Sequence, residues 1–160
     1  LHPRVRRQRQ MCIRDRWMDT KYEPGTVKVI AYDKDGNAVA EKEMKTAGKP
    51  YRIELTADRD KIMADGKDLS FVTVKIVDKD GNLCPTAANE ITFKVKGKGY
   101  YRAGANGDPT SLESFQAPHM KVFSGMMTAI VSSTEEPGKI TLEATSKGLK
   151  KATLVIESGK

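Results

Sequence analysis

The feature that most limits this chain is a two-residue rhythm. It runs from Thr26 to Glu157 and is broken at short intervals by turn signals. Tyr51, Ile53 and Leu55 alternate with Arg52 and Glu54. Val72, Val74 and Ile76 repeat the pattern within Ser70 to Asp78, as do Ile91, Phe93 and Val95, and then Ile140, Leu142 and Ala144. Apolar side chains at every second position mark strands with one buried face. No stretch keeps the three-to-four residue spacing of an amphipathic helix over three turns. The expected fold class is all-β.

Turn chemistry divides the chain. Thr26 to Tyr32 is rich in strand formers and is followed by Asp33-Lys34-Asp35-Gly36-Asn37 and a second strand from about Ala38 to Thr46. This reads as a hairpin. Ala47 to Pro50 reads as a linker. Short strands with regular turns over residues 49–160 predict an immunoglobulin-like sandwich of the invasin or bacterial type. Residues 97–121, with four Gly and two Pro, read as irregular, and Val122 to Ser133 as one long strand with a bulge at Gly125. A lone hairpin is too small to be stable. Residues 17–48 are therefore expected to be the last strands of a preceding, truncated sandwich domain.

At 160 residues with 38% apolar content, there is room for one domain and part of another. A β/α barrel of about 250 residues does not fit. No apolar run approaches the roughly 20 residues of a membrane helix, so no membrane span is expected. Two Cys cannot build a disulfide scaffold.

The net charge of +7 suggests nucleic acid until it is located. Residues 1–16 hold six Arg and one Asp; the remainder holds 22 basic and 20 acidic residues. Leu1-His2 and Arg6 to Arg16 resemble, in one frame and in order, a translated sequencing-library adaptor. Residues 1–16 are accordingly set aside as an expected artefact without ordered structure, and no nucleic-acid partner is expected. The true N-terminus, with any leader, is expected to be missing.

Few residues carry recognisable chemistry. The Asp78-Lys79-Asp80-Gly81-Asn82 segment repeats the 33–37 turn and resembles the start of a calcium loop. Its Gly comes too early and its flanks are strands, so a hairpin turn is expected. Cys84 and His119 are too few for a zinc site, and Cys84 is expected to be a buried or edge thiol. Tyr100-Tyr101-Arg102 is the only aromatic-basic cluster. The segment Gly104 to Phe115 is polar and turn-rich, with Phe115 as its expected anchor. It reads either as a functional loop or as a loop whose Asn, Asp, Thr and Ser satisfy their own backbone.

Tyr22-Glu23-Pro24-Gly25-Thr26 to Tyr32 and Lys45 to Gly48 resemble the end of the sandwich domain that follows the barrel in bacterial family 2 glycoside hydrolases. Leu55 to Arg59, Ala64 to Val74, and Asn106-Gly107-Asp108-Pro109-Thr110-Ser111 followed by Glu113, Phe115, Ala117, Phe123 and Gly125 resemble their C-terminal immunoglobulin-like domain. Leu112 stands where that family often has His.

The resemblance implies a non-catalytic accessory part of an exported, periplasmic or extracellular, β-galactosidase-like hydrolase of Bacteroidetes-type bacteria. Its two catalytic Glu would lie on a barrel outside this chain. No catalytic residue, metal or cofactor is implied here. The implied partners are upstream catalytic and sandwich domains of the same parent chain, and a glycan is a further candidate. Asn106, Asp108, Ser111 and Glu113 are the candidate contact residues, toward a neighbouring domain, a subunit or a sugar. The alternatives are an invasin-like module of a surface adhesin and a carbohydrate-binding module, for which Tyr100 and Tyr101 would form the aromatic platform.

Overall fold

The structure, a computed structural model, describes residues 21–160; the Arg-rich segment 1–16 lies outside the described residues. The chain divides into two compact units, with the boundary between Met44 and Lys45. There is no helix among the described residues. None is therefore long and apolar enough to cross a membrane.

In the first unit, β1 (Thr26–Tyr32) pairs with β2 (Ala38–Lys45) as a two-stranded sheet. Asp33 closes the turn. Its Oδ1 accepts the N–H groups of Asp35 and Asn37, and its Oδ2 accepts from the Asn37 amide. Gly36 sits at φ +84°, which a side chain would resist. Val27, Val29, Tyr32, Val39 and Met44 are exposed.

The second unit is a sandwich of two sheets. The four-stranded sheet runs β3 (Arg52–Ala57), β5 (Leu69–Val77), β9 (Met126–Ser133), β7 (Gly99–Ala105). The five-stranded sheet runs β4 (Lys61–Met63), β11 (Ala152–Gly159), β10 (Gly138–Thr145), β6 (Glu90–Gly97), β8 (His119–Lys121). Pairing is antiparallel except between β11 and β4. The core follows the two-residue rhythm. Val72, Val74 and Ile76 face Ile91, Phe93, Ile140, Leu142, Ala144 and Ile156 in one buried cluster, as expected when the inner faces of two sheets supply alternate positions.

Residues 97–121 hold more order than the sequence suggested. Gly97, Gly99 and Gly104 read as breakers, yet β7 runs through two of them. A Cβ on Gly99 would lie 2.7 Å from both Ile140 Cδ1 and the Ser132 carbonyl oxygen. The glycines mark close approach rather than irregularity. The bulge falls at Arg102, where the register shifts between Tyr101 and Ala103.

The expected single strand from Val122 to Ser133 is also corrected. Phe123 and Met126 exchange both backbone hydrogen bonds at 3.0 Å, and Ser124 and Gly125 both have positive φ (51° and 74°). This is a two-residue hairpin turn of the kind that matches strand twist. A Cβ on Gly125 would overlap the Cys84 carbonyl oxygen.

Candidate functional site

The loop between β7 and β8 joins an edge strand of one sheet to an edge strand of the other. It is built from short polar side chains at positions where they can reach their own backbone. The Asn106 Oδ1 accepts the Asp108 N–H at 3.0 Å. The Asp108 Oδ1 accepts the Thr110 N–H at 2.9 Å and the Thr110 hydroxyl at 2.8 Å. These bonds from Thr110, backbone first, hold the Asp108 carboxyl below its ordinary range. The Ser111 N–H donates to the Asp108 carbonyl at 3.3 Å. The Ser111 hydroxyl donates to Glu113 Oε2 at 3.2 Å and accepts the Glu113 N–H at 3.3 Å. Further on, the Gly104 N–H donates to the Phe115 carbonyl at 2.7 Å.

The network converges on one residue of β8, Lys121. Glu113 accepts the Lys121 N–H with its two oxygens at 3.2 and 3.4 Å. The Asn106 amide donates to the Lys121 carbonyl at 3.0 Å and to Glu113 Oε2 at 3.5 Å. The two side chains therefore supply β8 with the donor and acceptor a further strand would have given. They cover a sheet edge that would otherwise present free backbone groups. All four candidates, Asn106, Asp108, Ser111 and Glu113, come together here, and each bonds within the loop or to β8.

Beside the exposed Thr110, Ser114 and Gln116, two large apolar side chains face outward. Leu112 is 100% exposed and Phe115 62% exposed, so Phe115 is not the anchor the sequence suggested. One hint was visible beforehand: each is a lone large apolar residue in a polar, turn-forming stretch. Tyr100 and Tyr101 do not form a shared platform. Tyr100 faces outward, whereas Tyr101 turns inward and stacks on Phe93, with ring centroids 5.4 Å apart and planes 16° apart. Burial pushes the Tyr101 phenol up to about 12.

The second DKDGN segment is a turn like the first. Asp78 Oδ1 accepts the N–H groups of Asp80 and Asn82 at 2.9 and 2.8 Å, and Oδ2 accepts the Asn82 amide at 3.1 Å. No group of three or more His, Cys, Asp or Glu among the described residues is placed to hold a metal ion. Cys84 is buried, and that burial, followed by the nearby Asp78 charge, raises its thiol pKa. A nucleophilic thiol needs the opposite shift. His119 lies exposed on β8 with Nδ1 3.8 Å from a Glu90 carboxylate oxygen.

Comparison with known proteins gives a consistent picture. The family described as glycoside hydrolase family 2 C-terminal domain 5 matches residues 53–155. A family described as a domain of unknown function matches residues 4–40. A β-galactosidase of Bacteroides ovatus is 50% identical over 138 residues, 86% of this chain and 16% of the relative. A β-galactosidase of Thermoanaerobacter pseudethanolicus is 36% identical over 112 residues, 70% of this chain and 13% of the relative. Among solved structures, a glycosyl hydrolase family 2 member from Bacteroides cellulosilyticus aligns with a TM-score of 0.81 at 34% identity, covering 88% of this chain and 18% of that one. The chain thus spans about a sixth or less of the length of these curated relatives.

Proposed function

The chain belongs to the family of glycoside hydrolase family 2 C-terminal domains, and from that premise we propose that it is a non-catalytic accessory module of an exported β-galactosidase-like hydrolase. The module scaffolds the catalytic body, and its β7–β8 loop shapes access to it. The resemblance to the β-galactosidase of Bacteroides ovatus supports the parent activity. The use of the carboxylates supports the accessory role and carries the reading. Asp33, Asp65, Asp68, Asp78 and Asp108 are each held below their ordinary range by backbone N–H groups. A glycosidase acid needs a raised value and a free proton to give. These groups hold turns together instead.

In this reading Asn106, Asp108, Ser111 and Glu113 act through the shape of the loop. Leu112 and Phe115 make the contact. A rigid loop that presents an exposed Leu has little ordering entropy to lose when it meets a neighbour.

The test compares the 160-residue chain with the full-length parent on a nitrophenyl β-galactoside. The chain alone should show no turnover, and turnover by it would overturn the reading. In the parent, Leu112→Ser with Phe115→Ser should raise KM or lower the thermal midpoint. If neither moves, the loop has no role in access or scaffolding. Export is tested by fractionating cells that express the parent; retention in the cytoplasm would refute it.

A further inference from the structure

The two outer faces of the sandwich differ in chemistry. On the five-stranded sheet the outward positions are mostly charged or hydroxylated, with Val155 and Met63 the separate apolar exceptions. Lys94 pairs across from Glu143, Lys96 from Thr141, and Lys139 from Glu157. Water solvates such a face without cost, the usual state of the open side of an antiparallel sheet.

The four-stranded sheet breaks that rule. Its outward rows place Leu69 and Tyr100 on either side of Ser132, then Phe71, Ile130 and Ala103 in register across β5, β9 and β7. Phe71 is 42% and Tyr100 41% exposed. The next row is threonine, with Thr56, Thr73 and Thr128 in line, and Met126 follows beside Lys75. Phe71 lies beside Ile130, and Tyr100 lies one row on, across from Ser132; exposed aromatics gathered on one sheet face mark a surface that a partner can cover.

We infer that this face, centred on Phe71, Ile130 and Tyr100, is the surface by which the module packs on the body of its parent chain. The inference rests on the accessory reading above and adds, beside the loop's contact through Leu112 and Phe115, the sheet face that packs on the body. Size argues for a partner within the same chain. Four strands about 4.8 Å apart and seven residues at about 3.3 Å make a face of roughly 440 Å², or about 900 Å² buried when both sides are counted. That falls short of the roughly 1,200–2,000 Å² that holds two separate proteins together. It fits the roughly 600–1,500 Å² typical between domains of one chain, where the linker removes most of the association cost. The curated relatives carry the length for such a body, since this chain spans 16% of one and 13% of another.

Hydroxyl-radical footprinting of the 160-residue chain and of the full-length parent tests the assignment. Oxidation of Phe71 and Tyr100 should fall several-fold in the parent, while Met63 and Val155, on the five-stranded side, stay equally reactive. Protection of Met63 and Val155 instead would overturn the inference and leave the accessory reading standing, with another face docked. Equal oxidation everywhere would overturn both. Protection already present in the 160-residue chain, rising with its concentration, would overturn the inference in favour of a second copy of this chain.

Discussion

Asp78 reaches back thirty residues to accept the backbone N–H of Gly48 at 2.7 Å. The same carboxylate closes its own hairpin turn, as Asp33 does for the first unit. Gly48 is held a second time, because the Cys84 thiol donates to its carbonyl at 3.6 Å. The stretch that reads as a linker is therefore pinned at its second residue, and the pin is a charge.

That charge gives the unit an acid-sensitive joint. The Gly48 N–H, then the Asn82 side chain, draws the Asp78 pKa from an ordinary 3.8 to about 2. A depressed carboxylate stabilises the fold above its unfolded value and loses that contribution as pH falls through its folded one. Stability should therefore decline as pH drops from about 4 toward about 2. Asp78→Asn should be less stable at neutral pH and show a shallower decline over that window. Urea unfolding across a pH series measures both; an unchanged slope would remove Asp78 as a contributor.

Gly125 and Gly148 form a matched pair, with φ of +74° and +78°. Space for a Cβ is open at Gly148 and blocked by Cys84 at Gly125. Gly148→Ala should cost about 1–2 kcal/mol for the left-handed backbone alone. Gly125→Ala should cost about 1–3 kcal/mol more from overlap. Equal losses in chemical denaturation would mean that the Phe123–Met126 turn yields more easily than its packing implies.

The Tyr101 hydroxyl is buried with no hydrogen-bond partner among the described residues, an arrangement that costs about 1–3 kcal/mol. Tyr101→Phe keeps the stack on Phe93 and should raise stability by about 1 kcal/mol. Ultraviolet titration of the wild type should place this phenol near 12. It should ionise on unfolding at lower pH, so stability falls as alkali is added above about 10. A destabilised Tyr101→Phe would show that the hydroxyl has a partner.

Glu113 should protect the edge of the five-stranded sheet. Glu113→Ala removes the acceptor for the Lys121 N–H, and exchange at that amide should rise at least about tenfold. Glu113→Gln keeps an acceptor oxygen and should restore most of the protection. Exchange at Ile140 and Leu142, deep in the sheet, should not change. Slow exchange at Lys121 in the alanine variant would mean that the loop does not depend on Glu113.

Much of this was legible in the residues. Val72, Val74, Ile76, Ile140 and Leu142 sit where strict alternation put them, because a half-buried strand leaves its mark at every second position. Both DKDGN turns were legible from the short acceptor side chain and the Gly that follows. β7 was not, since Gly99 and Gly104 serve neighbours distant in sequence, Ile140 and Ser132 for the first of them, and local pattern carries no trace of those. Nor does anything in Ser124 announce a positive φ, which is imposed by the pairing of Phe123 with Met126. At the site, the self-bonding of Asn106, Asp108 and Ser111 was one of two readings the composition allowed. The outward turn of Leu112 and Phe115 depends on which positions the loop spends on β8, and that required coordinates.

The placement of β11 has a consequence for how the protein is made. It is the last strand of the unit in chain order, yet it lies between β10 and β4 in the five-stranded sheet, so the earliest strand of that sheet waits for the latest. A ribosome that has not yet released Ala152 to Gly159 carries a sandwich with a gap beside β4, and Ile62 has lost its parallel neighbour. Closure is expected to be abrupt and late, in keeping with the slow folding of topologies dominated by distant pairings. Arrested chains ending before Ala152 should be cut readily by protease, and chains extended far enough to free Gly159 from the exit tunnel should resist it. Until that moment the nascent module depends on whatever shields its open seam.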